Sequence, residues 1–433
     1  MKRIAILLLT AAMLLASCGA PAAGGEDTTA PADTTAAPDT TAAPDTTAAP
    51  EVPKAPAFVV EESILGINRN PKYNGSYASD KVKVSDIEKK YIANTTGGYT
   101  YFTSDAPQVE VSGLPFDEVN SKKFYRLEYA NNSKYSKQLQ DLAYQSSGVR
   151  IRFKTDATSI EVAISLQKSK DYDYMPITGT QELDVYVGNG ANAVWDDNSY
   201  GMTGKKYSLP EGVKDVTIVL PLCAGARRVT IALPSNCYIS SPDPYVVEDP
   251  VVFYGSSATQ GLGASRPGMA YPEVVTRMLG ANLVNYGFAD AALGETIVAQ
   301  AIAKIKMSAF VYDYGENVPL DTLKATHYNF YKTIRDAQPD VPIIILSGYN
   351  VGYFGPDNED AERNAVIKET YDKAVAAGDT NVYFINGLNV FPSEYRDYCI
   401  VDEDHLNDLG MYFVANSVYP VLKDALTKAG YIK

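Results

Sequence analysis

Short runs in the first part of the chain place an apolar residue at every second position. Val149-Arg150-Ile151-Arg152-Phe153 alternates apolar with basic, and Ile160 to Leu166 alternates apolar with polar or small side chains. Leu183 to Val187, Val216 to Leu220 and Val229 to Leu233 continue the series, with Gly, Asn and Asp between the runs. A period of two gives each run one core face, so residues 57–248 predict an antiparallel β-sandwich of jelly-roll-like type. After Pro250 the grammar changes. Short apolar strands are expected at Val251 to Tyr254, Leu283 to Tyr286, Ala309 to Tyr314, Pro342 to Leu346 and Val382 to Ile385, with helical stretches between them, such as Tyr271 to Leu279 and Ala292 to Ile305. Strand–helix alternation over residues 249–433 predicts an α/β domain, a parallel sheet with helices on both faces.

The N-terminus follows neither pattern. Lys2 and Arg3 precede an apolar run from Ile4 to Leu15, too short to span a bilayer as a mature helix, so residues 1–17 read as a signal peptide. The run ends in Leu15-Ala16-Ser17-Cys18, which resembles a bacterial lipobox and implies a lipid on the Cys18 sulfur after cleavage. The alternative is an ordinary secretory signal that happens to contain Cys18; either way the protein is expected outside the cytoplasm. Residues 18–56 collapse to Thr, Ala, Pro and Asp, with TTAAP recurring from Thr34, Thr40 and Thr46. Such a stretch has nothing to bury and is expected to be an extended, disordered linker.

Composition then removes several functions. The net charge of −14, from 38 Lys+Arg against 52 Asp+Glu, opposes nucleic acid and anionic headgroups, leaving a lipid on Cys18 as the one membrane contact expected. The chain has two histidines, His327 and His405, so a multi-histidine metal site is not available, and its four cysteines lack CxxC spacing. No cofactor is expected. Cys223 and Cys237 flank two predicted strands, and the sequence leaves open whether they are bridged or buried as thiols.

Sites on open parallel sheets form past the carboxyl ends of the strands. There the sequence places Gly255-Ser256-Ser257-Ala258-Thr259-Gln260-Gly261, then Asn285-Tyr286-Gly287-Phe288-Ala289-Asp290, then Gly315-Glu316-Asn317, and finally Asp402-Glu403-Asp404-His405. A serine, tight-turn amides, an amide side chain and an Asp–His pair are the parts of an acyl-transfer site. Singly, each has an ordinary reading: Ser257 as a turn residue, Asn317 as a left-handed turn, Asp402 as a helix cap. His327 sits in no motif and reads as structural.

The GSSATQG, NYGF, GEN and DEDH segments resemble the blocks of the SGNH, or GDSL-like, hydrolase superfamily, whose fold is a flavodoxin-like sheet. GASRPGMAYP, FVYDYGENVP and HLNDLG further resemble a bacterial esterase subgroup in which a β-sandwich precedes the hydrolase, and ELDVYV and VTIVLPL resemble segments of that sandwich. The resemblance implies Ser257 as nucleophile, His405 as general base and Asp402 as its acid. It implies oxyanion donors at Ser257 N–H, the Asn317 side chain and the backbone N–H of a second-block glycine, a position occupied here by Asp290. Ser256 and Leu406 also depart from the usual Asp and Pro. Arg266 and Glu295 match recurring positions and are candidates to orient substrate or to pair with each other. The implied function is an extracytoplasmic serine esterase removing small acyl groups, acetyl first among them, from a carbohydrate. Alternatives are a non-catalytic glycan-binding member, motivated by the Asp290 carboxylate, and an esterase acting on peptidoglycan O-acetyl or lipid and thioester substrates.

Overall fold

The computed structural model describes residues 73–433 except 117, 199–203, 317, 350–357 and 403. The signal peptide, Cys18 and the linker therefore lie outside the described residues.

Five strands form the parallel sheet: β1 Val247–Gly255, β2 Ala281–Gly287, β3 Ala309–Asp313, β4 Ile343–Leu346 and β5 Val382–Ile385. Their order is β2-β1-β3-β4-β5, all parallel, so the chain reverses direction across the sheet at β1. This is the flavodoxin-like order, and it puts a crevice past the carboxyl end of β1, between β2 and β3. Six helices flank or follow these strands: α1 Ser257–Gln260, α2 Tyr271–Leu279, α3 Thr296–Ile302, α4 Leu320–Ala337, α5 Asn358–Ala376 and α6 Asp408–Lys428. Strand alternation splits the core in two. Val251 and Phe253 face α2 and α6 in one cluster, and Val252 and Tyr254 face α3, α4 and α5 in the other. The helix expected over Ala292 to Ile305 is shorter, Thr296–Ile302, because Gly294 takes φ +72 and Glu295 is extended at φ −62, ψ 133.

Before Val247 lie two predominantly antiparallel sheets, one of eight strands and one of five. Strands Arg150–Thr155 and Gly212–Val219 belong to the first; Ser159–Gln167 and Gly225–Pro234 belong to the second. Ile151, Phe153, Val216 and Ile218 from one and Ile160, Val162, Val229 and Ile231 from the other share a single core, an arrangement compatible with the expected sandwich.

The basic positions of Arg150–Thr155 depart from the simple alternation rule. Arg150, Arg152 and Lys154 are buried like their apolar neighbours. Arg150 pairs with Glu273 on α2 at 2.8 Å, Arg152 with Glu110 at 2.8 Å, and Lys154 with Asp243. The polar face of this strand thus packs against protein, and each of its buried charges has a carboxylate partner. Cys223 lies in a core cluster of the parallel sheet and Cys237 packs at the core shared by the two antiparallel sheets, and both are free thiols, as is Cys399. The pairing of Cys223 with Cys237 is not formed. No helix among the described residues is long and apolar enough to cross a membrane.

Candidate active site

Ser257 begins α1 immediately after β1, with Ser256 as the junction residue at φ −90, ψ −145. It is 7% exposed, and its hydroxyl carries no hydrogen bond to a described residue. As the first residue of a helix it has an N–H with no intrahelical acceptor. Around it the turn is closely fitted. A Cβ at Gly287, the last residue of β2, would lie 2.0 Å from the Gln260 nitrogen, so only glycine lets the second strand end meet α1. The Gln260 side chain accepts from Ala289 N–H at 3.0 Å and donates to Gln145 Oε1 at 2.6 Å and Leu222 O at 3.0 Å, tying the second block to the first and both to the sandwich side.

His405 and Asp402 come from a loop before α6. Asp402 is not a helix cap: α6 begins at Asp408, capped by Asn407. Instead Asp402 Oδ1 accepts the N–H groups of Asp404 at 2.9 Å and His405 at 2.7 Å, while Oδ2 meets His405 Nδ1 at 2.9 Å. Burial alone would push this carboxyl up; the hydrogen bonds from His405 and Asp404 outweigh it and hold Asp402 below its ordinary range. A carboxylate only accepts, so Nδ1 carries the proton and a neutral imidazole presents a lone pair at Nε2. The loop is closed by a bridge between Ile400 and Leu406, with Val401 N–H donating to His405 O at 2.9 Å. Leu406 is 1% exposed and anchors the loop in the core.

Two contacts bring the serine and histidine segments together. At Gly263, φ +92, a Cβ would lie 2.2 Å from Leu406 O and 3.3 Å from His405 Cβ. Ser265 N–H and Oγ donate to the Asp408 carboxylate at 2.8 and 2.5 Å, fixing the loop after α1 to the start of α6.

Asp290 is exposed and adopts φ +57, a left-handed conformation that glycine takes more readily than other residues. Its N–H, like that of Ser257, donates to no described residue. Asn317 lies outside the described residues. Its neighbour Glu316 accepts from Tyr349 N–H at 3.1 Å, and burial, then the nearby Asp313, push its carboxyl up to about 7. Asp313 ends β3 and takes three hydroxyl donors on Oδ2: Tyr271 at 2.9 Å, Thr259 at 3.0 Å and Tyr349 at 3.0 Å.

Arg266 and Glu295 do not meet. Arg266 pairs with the buried Asp184 at 3.0 Å, donates to Tyr186 Oη at 2.7 Å and lies 4.4 Å from the Trp195 ring centroid, so it joins the loop after α1 to the sandwich. Glu295 instead accepts from Leu293 N–H at 3.3 Å within its own turn. His327 is buried on α4 against Thr370 at 2.7 Å, and burial pushes it down to about 3, in keeping with a structural role. Sequence reasoning missed Tyr174. Its phenol lies 3.2 Å from His405 Nε2 and its ring stacks on the imidazole at 4.3 Å. Tyr174 sits on an irregular loop with no periodic signal. Arg126 was also missed: a fully buried guanidinium that donates to Asn285 O, Gly287 O and Leu142 O at 2.8, 2.9 and 2.9 Å and so holds the end of β2.

Residues 248–423 match the GDSL-like Lipase/Acylhydrolase family, and residues 99–239 match the N-terminus of Esterase_SGNH_hydro-type. No curated protein matches the chain. Among solved structures, a GDSL-like lipase from Bacteroides ovatus ATCC 8483 is 25% identical with a TM-score of 0.69, over 76% of this chain and 98% of its own. The salicylyl-acyltransferase SsfX3 of a tetracycline biosynthetic pathway is 18% identical with a TM-score of 0.62, over 75% and 96%. An active-site mutant of a family two carbohydrate esterase from Clostridium thermocellum is 13% identical with a TM-score of 0.51, over 75% and 100%. The last two likenesses are of fold. The two matched regions and the parallel sheet give a GDSL-like lipase/acylhydrolase region over residues 248–423, preceded by a region like the N-terminus of SGNH-hydro-type esterases, and support an enzyme that hydrolyses ester bonds.

Proposed function

We propose that the protein is a serine esterase using Ser257, His405 and Asp402, and that it removes small acyl groups, acetyl foremost, from carbohydrate outside the cytoplasm. The observation that carries this reading is the His405–Asp402 contact at 2.9 Å, on a loop packed against the segment that follows Ser257. In the reaction, Ser257 Oγ attacks the ester carbonyl carbon while its proton passes to His405 Nε2. Asp402 fixes the tautomer and stabilises the imidazolium. The oxyanion is met by the unengaged N–H groups of Ser257 and Asp290, with Asn317 assigned by its motif alone. The imidazolium then protonates the departing alcohol, and water activated by the same imidazole releases the acid from the acyl-enzyme.

Carbohydrate is supported by the aromatic surroundings. Tyr172 and Tyr174 lie at 5.3 Å from each other beside His405, and Tyr395 and Tyr398 are exposed on the segment leading to Asp402. Rings with a polar tip suit the mixed faces of a sugar. The location is supported by the lipobox-like run ending at Cys18, which would leave the enzyme lipid-anchored at the surface, with the Thr/Ala/Pro/Asp stretch providing reach.

Hydrolysis of p-nitrophenyl acetate and of acetylated oligosaccharides by the purified protein tests this reading. Activity that falls to background in both Ser257→Ala and His405→Ala, with unchanged melting, is the expected result. Undiminished hydrolysis in either variant would refute the assignment.

A further inference from the structure

The lone pair of a neutral imidazole at Nε2 accepts one proton, and here it faces the phenol of Tyr174 at 3.2 Å rather than a serine. Ser257 Oγ meanwhile has no hydrogen bond to a described residue. The two observations are complementary. The group that should take the serine's proton is occupied, and the group that should give it is bonded to no described residue.

Tyr174 is held there from the N-terminal part of the chain. On its loop, Lys170 N–H donates to Cys223 O at 2.9 Å, Met175 N–H to Tyr172 O at 3.0 Å, and Thr178 Oγ1 to Ser265 O at 2.6 Å. Met175 is buried in the same core cluster as Leu262 and Leu406, the neighbours of the two site segments. The imidazole and phenol rings lie 16° from parallel, so Tyr174 covers the face of His405 as well as reaching its edge. Beside it, Tyr172 Oη is buried without a hydrogen-bond partner among the described residues. Burial raises the phenols of both tyrosines, with Asp290 adding to each, so both stay neutral donors.

Building on the reading of His405 as general base, we propose that Tyr174 is a positioning residue that caps this base in the resting enzyme, and that catalysis requires its hydroxyl to leave Nε2 while its ring stays stacked. The N-terminal domain thereby acts directly on the catalytic histidine. When the cap opens, Ser257 Oγ–H takes the place of the Tyr174 hydroxyl at Nε2.

The test is the rate at which a small fluorophosphonate labels the purified protein. Tyr174→Phe keeps the stack and deletes the cap, so it should be labelled faster than the parent, by about two- to tenfold, the range expected for one net hydrogen bond. Tyr174→Ala, which also loses the stack, should be labelled more slowly than Tyr174→Phe. A merely structural tyrosine cannot yield a gain. Folded Tyr174→Phe labelled at or below the parental rate would overturn the cap while leaving the serine assignment standing, provided Ser257→Ala is unlabelled. Labelling that persists in Ser257→Ala would overturn both.

Discussion

Asp290 holds a conformation that a side chain makes costly. At φ +57 an L-residue is disfavoured, and Asp is among the few types that tolerate the region through local hydrogen bonding. The position therefore has a glycine-like backbone and adds a carboxylate beside a backbone N–H that the proposed mechanism directs at a developing anion. Asp290→Gly relieves the conformation and removes the charge. It should raise stability by about 0.5–1 kcal/mol in urea denaturation and raise kcat/KM on p-nitrophenyl acetate. A fall in kcat/KM would mean that the carboxylate contributes to the reaction. Asp402 has the opposite balance. It accepts two N–H groups on Oδ1 and the imidazole on Oδ2, so the carboxylate both builds the loop and selects the tautomer. Asp402→Asn can keep the turn on its amide oxygen but offers an N–H donor where Nδ1–H needs an acceptor. Its kcat should fall on the order of 10⁴-fold with little change in KM, read in steady-state assays.

At the level of elements, the end of β3 gathers acids away from water. Glu316 is pushed up to about 7 from an ordinary 4.5, and burial also raises Asp313 against the pull of its three hydroxyl donors. Across that window the folded protein keeps a proton that the unfolded chain has already lost, so stability falls as pH rises. Glu316→Gln keeps an acceptor for Tyr349 N–H and removes the titration. The variant should lose less stability than the parent between about pH 5 and pH 8, by up to about 3 kcal/mol in chemical denaturation. A second element-level test lies in Arg150–Thr155. Arg150→Met strands Glu273, 1% exposed, without its cation, and should cost about 3–5 kcal/mol. This strand also marks what the sequence could and could not convey. Its period of two announced a strand, and α2 and β5 were legible to the residue, because periodicity is written in neighbouring positions. The fate of Arg150 was not, since its partner lies on α2, more than a hundred residues away in the chain. The Asp402–His405 contact was readable because the two sit three residues apart in one block, and the place of Ser257 because it follows a strand end directly. Tyr174 and Arg126 were not, because each acts through long-range contacts from a segment with no repeating pattern.

The whole molecule is more integrated than its two sequence patterns suggest. The described residues fall in one compact unit, and segments before Val247 reach into the hydrolase at several points. Arg126 holds the end of β2, Gln145 holds Gln260, Asp184 holds Arg266, and Tyr125, Leu139 and Leu142 join the core beneath α3 and α4. Arg126 hydrogen-bonds to no carboxylate among the described residues, and burial pushes it down to about 9, so its three carbonyl contacts offset a real desolvation cost. Such an interface predicts one cooperative unfolding transition in calorimetry, and a 249–433 fragment that neither folds nor hydrolyses esters. Two separated transitions, or an active fragment, would show the halves to be independent. The central claim concerns the serine itself, and peptide mass spectrometry after fluorophosphonate treatment addresses it most directly. The account predicts a single stoichiometric adduct on the peptide containing Ser257, absent in His405→Ala. An adduct on another residue, or none on a folded protein that still hydrolyses esters, would contradict it.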